Sequence, residues 1–195
     1  MSSRDQILAT IKTNQPALVP LPSLEVFANT EVADADRFIT TLQGIGGKVI
    51  RVGNEADLAQ LVKSEFPLAT RIISAVASLP ISTEQNWNLI NPHELETVDL
   101  AIIKARIGVA ENGSVWITDD DVEQVRVLPF ICENLAAVLS RTAILNTMHQ
   151  AYDTIADADY GFGVFIAGPS KTADIEQSLV LGAHGPKTMT IFLVD

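Results

Sequence analysis

From residue 34 onward, amphipathic helical patterns alternate with short runs that are apolar at nearly every position, and this rhythm limits the possible folds more than any other feature. Strands that are apolar on both sides need cover on both faces, which βαβ crossovers supply to a parallel sheet. Asp34 caps a helix carrying Ala35, Phe38, Ile39, Leu42 and Ile45, and Gly46-Gly47 ends it. Lys48–Val52 follows as a strand, and Asn54 caps a helix with Leu58, Leu61, Val62 and Phe66. Arg71–Ser74, Leu100–Lys104, Ser114–Thr118, Leu135–Leu139, Val164–Ala167 and Met189–Val194 are further strands. Asn146 caps a helix with Met148, Tyr152 and Ile155, and Ala173–Leu179 reads as another. The expectation is an α/β fold, a mostly parallel sheet with helices on both faces.

The chain before this rhythm reads differently. Ser3 and Gln6 fit a capping box, with Ile7, Leu8 and Ile11 on one face. Pro16, Pro20 and Pro22 then make an extended strap that cannot be helical. Residues 1–30 are therefore expected to form a short N-terminal helical extension and strap, and 31–195 the main domain. The polar start, Met1-Ser2-Ser3-Arg4-Asp5, has no apolar stretch behind it, so a cytoplasmic location is expected. Mean hydropathy is positive at +0.24, yet Lys104, Arg106, Gly168 and Pro169 interrupt the apolar stretches. None approaches the ~20 residues of a spanning helix, so no membrane partner is expected.

Charge and ligand chemistry remove further classes. Thirteen Lys and Arg against 24 Asp and Glu leave a net charge of −11, which repels a phosphate backbone, so nucleic acid is not an expected partner. One cysteine, Cys132, supplies neither an internal disulfide nor the four thiolates of an iron–sulfur cluster. The three histidines, His93, His149 and His184, lie far apart without metal-ligand spacing, so neither a metal nor a cofactor is expected. Cys132 beside Glu133 gains no thiolate stabilisation and reads as a packing residue.

Loops after strands are where chemistry is sought in such sheets. In Gly108-Val109-Ala110-Glu111-Asn112-Gly113-Ser114, a lone Glu precedes an Asn-Gly turn. Glu111 there is a base, nucleophile or anchor, or a hairpin residue facing water. In Gly168-Pro169-Ser170-Lys171-Thr172, an apolar strand runs into hydroxyls and a lysine at an expected helix start, an arrangement that suits an anion or merely caps the helix. His184, followed by Gly185, sits in a third loop, poised for chemistry or merely structural or exposed. Arg126, before Val127-Leu128-Pro129, suits a carboxylate or phosphate. Asp119-Asp120-Asp121 reads as a solvated turn, and Asp157, Asp159 and Gly161 lack the final Glu of a calcium loop.

Taken together, Gly108–Ser114, Arg126–Pro129 and the run from Gly168 through Leu181-Gly182-Ala183-His184-Gly185-Pro186 resemble the LUD-domain family of lactate-utilisation proteins, the stand-alone protein C type. The likeness is close from about Val98 onward. It implies a fold like that of ribose-5-phosphate isomerase, glucosamine-6-phosphate deaminase and CoA transferases. It also implies a subunit role in oxidising L-lactate to pyruvate, with iron–sulfur partner proteins handling the electrons. Carried onto this chain, Glu111 would be catalytic. Asn112, Gly113, Ser114, Arg126, Asn134, Gly168, Ser170, Lys171, Thr172, His184 and Gly185 would contact a small carboxylate or phosphorylated ligand. Asn134 stands where the family often has His, and an amide does not shuttle protons at neutral pH. Ala110-Glu111-Asn112-Gly113 also resembles the stretch around the nucleophilic Glu of class I CoA transferases. Two other readings therefore stand beside the lactate role: a self-sufficient transferase or sugar-phosphate isomerase using Glu111, and a non-catalytic regulatory or scaffold domain.

Overall fold

The computed structural model describes residues 2–23, 25, 34–156, 158–175 and 178–195, with backbone alone at 173–175, 178 and 179. Its centre is a five-stranded, wholly parallel sheet. Strands β1 (Lys48–Val52), β2 (Ile72–Ser74), β3 (Leu100–Lys104), β6 (Asn134–Ser140) and β11 (Thr188–Val194) lie in the order β1-β11-β6-β3-β2. Alternation along the strands divides the core. Leu100, Ile102, Ala136 and Phe192 face Leu58 and Val62 of helix α3 (Leu58–Glu65). Ala101, Ile103, Leu135, Ala137 and Ile191 face the other way, onto Phe38 and Leu42 of helix α2 (Ala35–Gly44). Asp34 caps α2 as expected, accepting from the N–H groups of Asp36 and Arg37.

A second sheet shares the α2 side. It has strands β4 (Ile107–Val109), β5 (Ser114–Thr118), β7 (Ile144–Leu145) and β8 (Gly163–Ile166) in the order β7-β4-β5-β8. Val115 and Ile117 of β5 join the α2 core with Leu128 of the short helix α4 (Leu128–Ile131), while Ile107, Val109 and Trp116 pack under Ala151 and Ile155 of helix α5 (Met148–Ile155). Helices do cover both faces of the central sheet, but half of one cover is β-structure. Strands of two or three residues, such as β7 and β4, carry too little periodicity to read in advance.

One element differs in kind. Where a helix over Ala173–Leu179 is expected, the chain forms an antiparallel hairpin, β9 (Lys171–Ile175) and β10 (Ser178–Leu181). Ser170 closes its base, donating its N–H to Pro186 and accepting from the Gly182 N–H. With both backbone groups of Ser170 committed to the returning chain, the segment leaves the turn extended. Residues 176 and 177 of that expected helix lie outside the described residues, as does the expected domain start at residue 31. Two helix caps shift by one residue. Ser2 and Asp5 form the first capping box, and Thr147 with Gln150 caps α5, leaving Asn146 to accept from the Asp34 N–H.

Helix α1 (Ser3–Thr13) buries none of its residues, and everything described from 2 to 23 is exposed. Ile7, Leu8 and Ile11 are exposed and, among the described residues, join no core cluster. Removing residues 1–23 is expected to leave the thermal midpoint within ~2 °C of the full chain, less than the loss of 1 kcal/mol produces at this size. A larger drop in a melting experiment would show that the arm stabilises the body.

Candidate functional site

The β5–β8 register, Val115 opposite Ile166, brings the β4–β5 turn and the Gly168 loop out at the same end of the second sheet. Both rest on α2. Gly113 has φ +69°, and a Cβ there would meet the Leu42 Cα and N at 2.9 Å. Gly168 has φ +73°, and a Cβ there would come within 3.1 Å of the Ile45 carbonyl oxygen. The Thr41 hydroxyl donates to the Ala110 carbonyl at 3.0 Å, pinning the turn to the helix.

Within that turn, Glu111 has a structural partner. Its Oε2 accepts from the Met148 N–H at 2.8 Å, at the start of α5, where a carboxylate also suits the helix dipole. Asn112 Oδ1 accepts from both the N–H and the hydroxyl of Ser114, at 3.0 and 2.7 Å, and Ser114 is 1% exposed. The Asn-Gly pair thus supplies an Asx-type turn, and Ser114 is turned inward.

Ser170, Lys171, Gly182 and Gly185 gather at the amino-terminal end of the central sheet. A Cβ on Gly185 would come within 3.1 Å of the Ser170 Cβ. Lys171 Nζ donates to the Ile45 carbonyl at the C-terminal end of α2, a common use of a lysine there. The anion cradle expected at a helix N-terminus is replaced by the hairpin, so any anion here meets side chains. Thr172 sits half-buried on β9, and His184 is exposed in the loop before Gly185. Asn134 joins three strand starts. Its Nδ2 donates to the Asp99 carbonyl at 2.9 Å, and its Oδ1 accepts from the Thr188 hydroxyl at 2.7 Å.

Arg126 does not join this group. It donates to Asp119 at 3.0 Å, past the far end of β5, and lines a separate cavity of about 480 Å³ with Asn88, Pro92 and Val127. The acidic run beside it is not a solvated turn. Asp119 is 5% exposed, and Asp121 accepts from the Thr118 N–H and hydroxyl and from Arg106. Among the described residues, no group of acids, Cys and His could hold a metal ion. Cys132 is buried, and burial pushes its thiol up to about 12, as its reading as a packing residue expects.

Two cavities open at opposite ends of the central sheet. One, of about 490 Å³, lies at the carboxyl ends of the strands, with Lys104, Ser78 and Ser140 beside the carboxylates of Glu55 and Asp195. The other, of about 550 Å³, lies at the amino ends. It holds Asn134 and Lys171 from the expected set, and adds Lys48, Lys187, Thr188 and Thr190 with an apolar wall of Phe66, Pro169, Leu181 and Met189. Lys48 was hidden from sequence reasoning because its neighbour is set by strand order. Parallel β1 and β11 put Lys48 opposite Thr190, 142 positions further on. Ile, Val and Leu carry that pairing, and nothing local to Lys48 signals it.

Comparison with known proteins gives consistent matches. The LUD domain model matches residues 88–194. A lactate utilization protein C of Geobacillus sp. (strain WCH70) is 31% identical over 98% of this chain and 79% of its own length. The protein of the same name from Geobacillus kaustophilus is 28% identical over 98% of this chain and 80% of its own. That of Oceanobacillus iheyensis is 32% identical over 51% of this chain, and the matched stretch spans only 45% of that relative. The crystal structure of a DUF162 family protein from Deinococcus radiodurans superposes with a TM-score of 0.60 at 16% identity, covering 90% of this chain and 100% of that one. That likeness concerns the fold alone.

Proposed function

The chain belongs to the LUD-domain family, and from that membership we propose that it serves lactate utilisation, as a cytoplasmic subunit of a system oxidising L-lactate to pyruvate. The similarity to lactate utilization protein C along 98% of the chain carries this reading. Two-electron oxidation of a hydroxy acid needs an acceptor. The one thiol here is buried and protonated at neutral pH, so this chain's cysteine chemistry cannot hold a cluster. Electron transfer is assigned to iron–sulfur partner proteins, as the family resemblance implies, and this chain contributes a shaped α/β scaffold. Within it, Glu111 acts as a positioning residue that fastens the β4–β5 turn to α5. Among the described residues no helix is long and apolar enough to cross a membrane.

Deleting the gene in its host is expected to abolish growth on L-lactate while sparing growth on pyruvate, with recovery from a plasmid copy. Undiminished growth of the deletion strain on L-lactate would remove the lactate role.

A further inference from the structure

The two cavities of the central sheet differ in charge, and that difference selects the ligand. At the carboxyl ends, Lys104 faces Glu55 and Asp195, so the lining is net negative and repels anions. At the amino ends, among the described residues, Lys48, Lys171 and Lys187 face a single lining carboxylate, Glu65. This concentration of positive charge sits in a chain of net charge −11. Glu133 behind Lys187 cancels one more charge, at 2.9 Å, and still leaves the lining positive.

The lysines also keep donors in hand. Each ammonium has three N–H donors. Lys48 spends one on Glu65, Lys187 one on Glu133, and Lys171 one on the neutral carbonyl of Ile45. Lys171 is thus held by a neutral acceptor, and among the described residues no carboxylate pairs with it. The lining also has an apolar part, with Phe66, Leu181 and Met189. Inorganic phosphate would leave that part wet, whereas a carboxylate with a short carbon chain satisfies both parts.

We infer that the cavity at the amino ends of the parallel strands is a binding site for a small organic carboxylate, held by Lys171 and Lys187 and packed against Phe66, Leu181 and Met189. Ligands of open α/β sheets commonly sit at the carboxyl ends. Here the β8–β9 connection carries Pro169 and Lys171 across to the amino ends, and the charge follows them. The ligand class stands on the cavity alone, while its place in lactate oxidation rests on the reading above.

The test is a calorimetric titration of the full chain with acetate, L-lactate, butyrate and inorganic phosphate. Saturable carboxylate binding is expected, tightening about fourfold for each methylene buried. The double variant Lys171→Gln with Lys187→Gln is expected to weaken it about tenfold or more, and Lys104→Gln, at the other cavity, to leave it within about twofold. Should the double variant lose its far-UV dichroism, Lys48→Gln, on a side chain 56% exposed, gives the same reading at lower amplitude. Absence of saturable binding, tighter binding of phosphate with no effect of chain length, or loss of binding in Lys104→Gln would each overturn the site. A deletion strain that fails on L-lactate beside a protein that binds no carboxylate sinks the site and keeps the lactate role. Carboxylate binding beside undisturbed growth does the reverse.

Discussion

Gly113→Ala is expected to destabilise the protein by ~3 kcal/mol, lowering the thermal midpoint by ~6–12 °C. Two costs add. The backbone at φ +69° is left-handed, which costs a residue with a Cβ about 1–2 kcal/mol. The new methyl also meets the Leu42 backbone at 2.9 Å, where nothing flexible can give way, and overpacking of this kind costs ~1–3 kcal/mol. Gly44, in the same helix as Leu42, is the control. A Cβ there meets nothing within 4 Å. Gly44→Ala is expected to gain ~0.5 kcal/mol by restricting the unfolded chain. A Gly113→Ala midpoint within ~2 °C of the parent would show that the β4–β5 turn relaxes away from α2 and is not clamped.

This clamp marks the boundary of what the sequence makes legible. That Asn112-Gly113 is a turn follows from the residue pair itself, and β1, β3 and β5 have the bounds their apolar runs announce. In each case the signal and the element occupy the same few residues. What Gly113 touches is another matter, since Leu42 lies 71 positions earlier. The hairpin at Lys171–Leu181 shows the same limit from the other side. Capping hydroxyls followed by acids are the local signal for a helix after Ser170, but partners at Gly182 and Pro186 decide the backbone. Arg126 has the right chemistry for an anion and a buried Asp119 to neutralise it, a pairing that no spacing rule reveals. The lysine cavity is the clearest case. Its residues come from β1, the end of α3, the starts of β6 and β11, and the β9–β10 hairpin with the turn before it. The order β1-β11-β6 brings the strand starts together.

Glu111 is expected to form no covalent adduct with an acyl-CoA. As a transferase nucleophile, its carboxylate would attack the thioester carbonyl and expel CoA thiolate. The thiolate would then attack the glutamyl carbonyl of the resulting anhydride and release acetate, giving a glutamyl thioester that borohydride reduces. That sequence needs a free carboxylate and space for a long pantetheine arm. Instead, one oxygen of Glu111 is committed to the Met148 N–H, and the turn carrying it is held by Thr41 and closed against Leu42. The charge that could meet CoA phosphates lies elsewhere, in the lysine cavity. Wild-type protein incubated with acetyl-CoA and borohydride should therefore keep its parent mass. Stability measurements on two variants complete the test. Glu111→Gln still presents an oxygen to Met148 and loses only the charge–dipole attraction, ~0.3–1 kcal/mol. Glu111→Ala leaves the N–H without its partner and should cost more, ~1–2 kcal/mol. A borohydride-trapped adduct that disappears in Glu111→Gln would make Glu111 a nucleophile and put the transferase reading first. Equal stability of the Gln and Ala variants would show that the contact with α5 does not hold the turn.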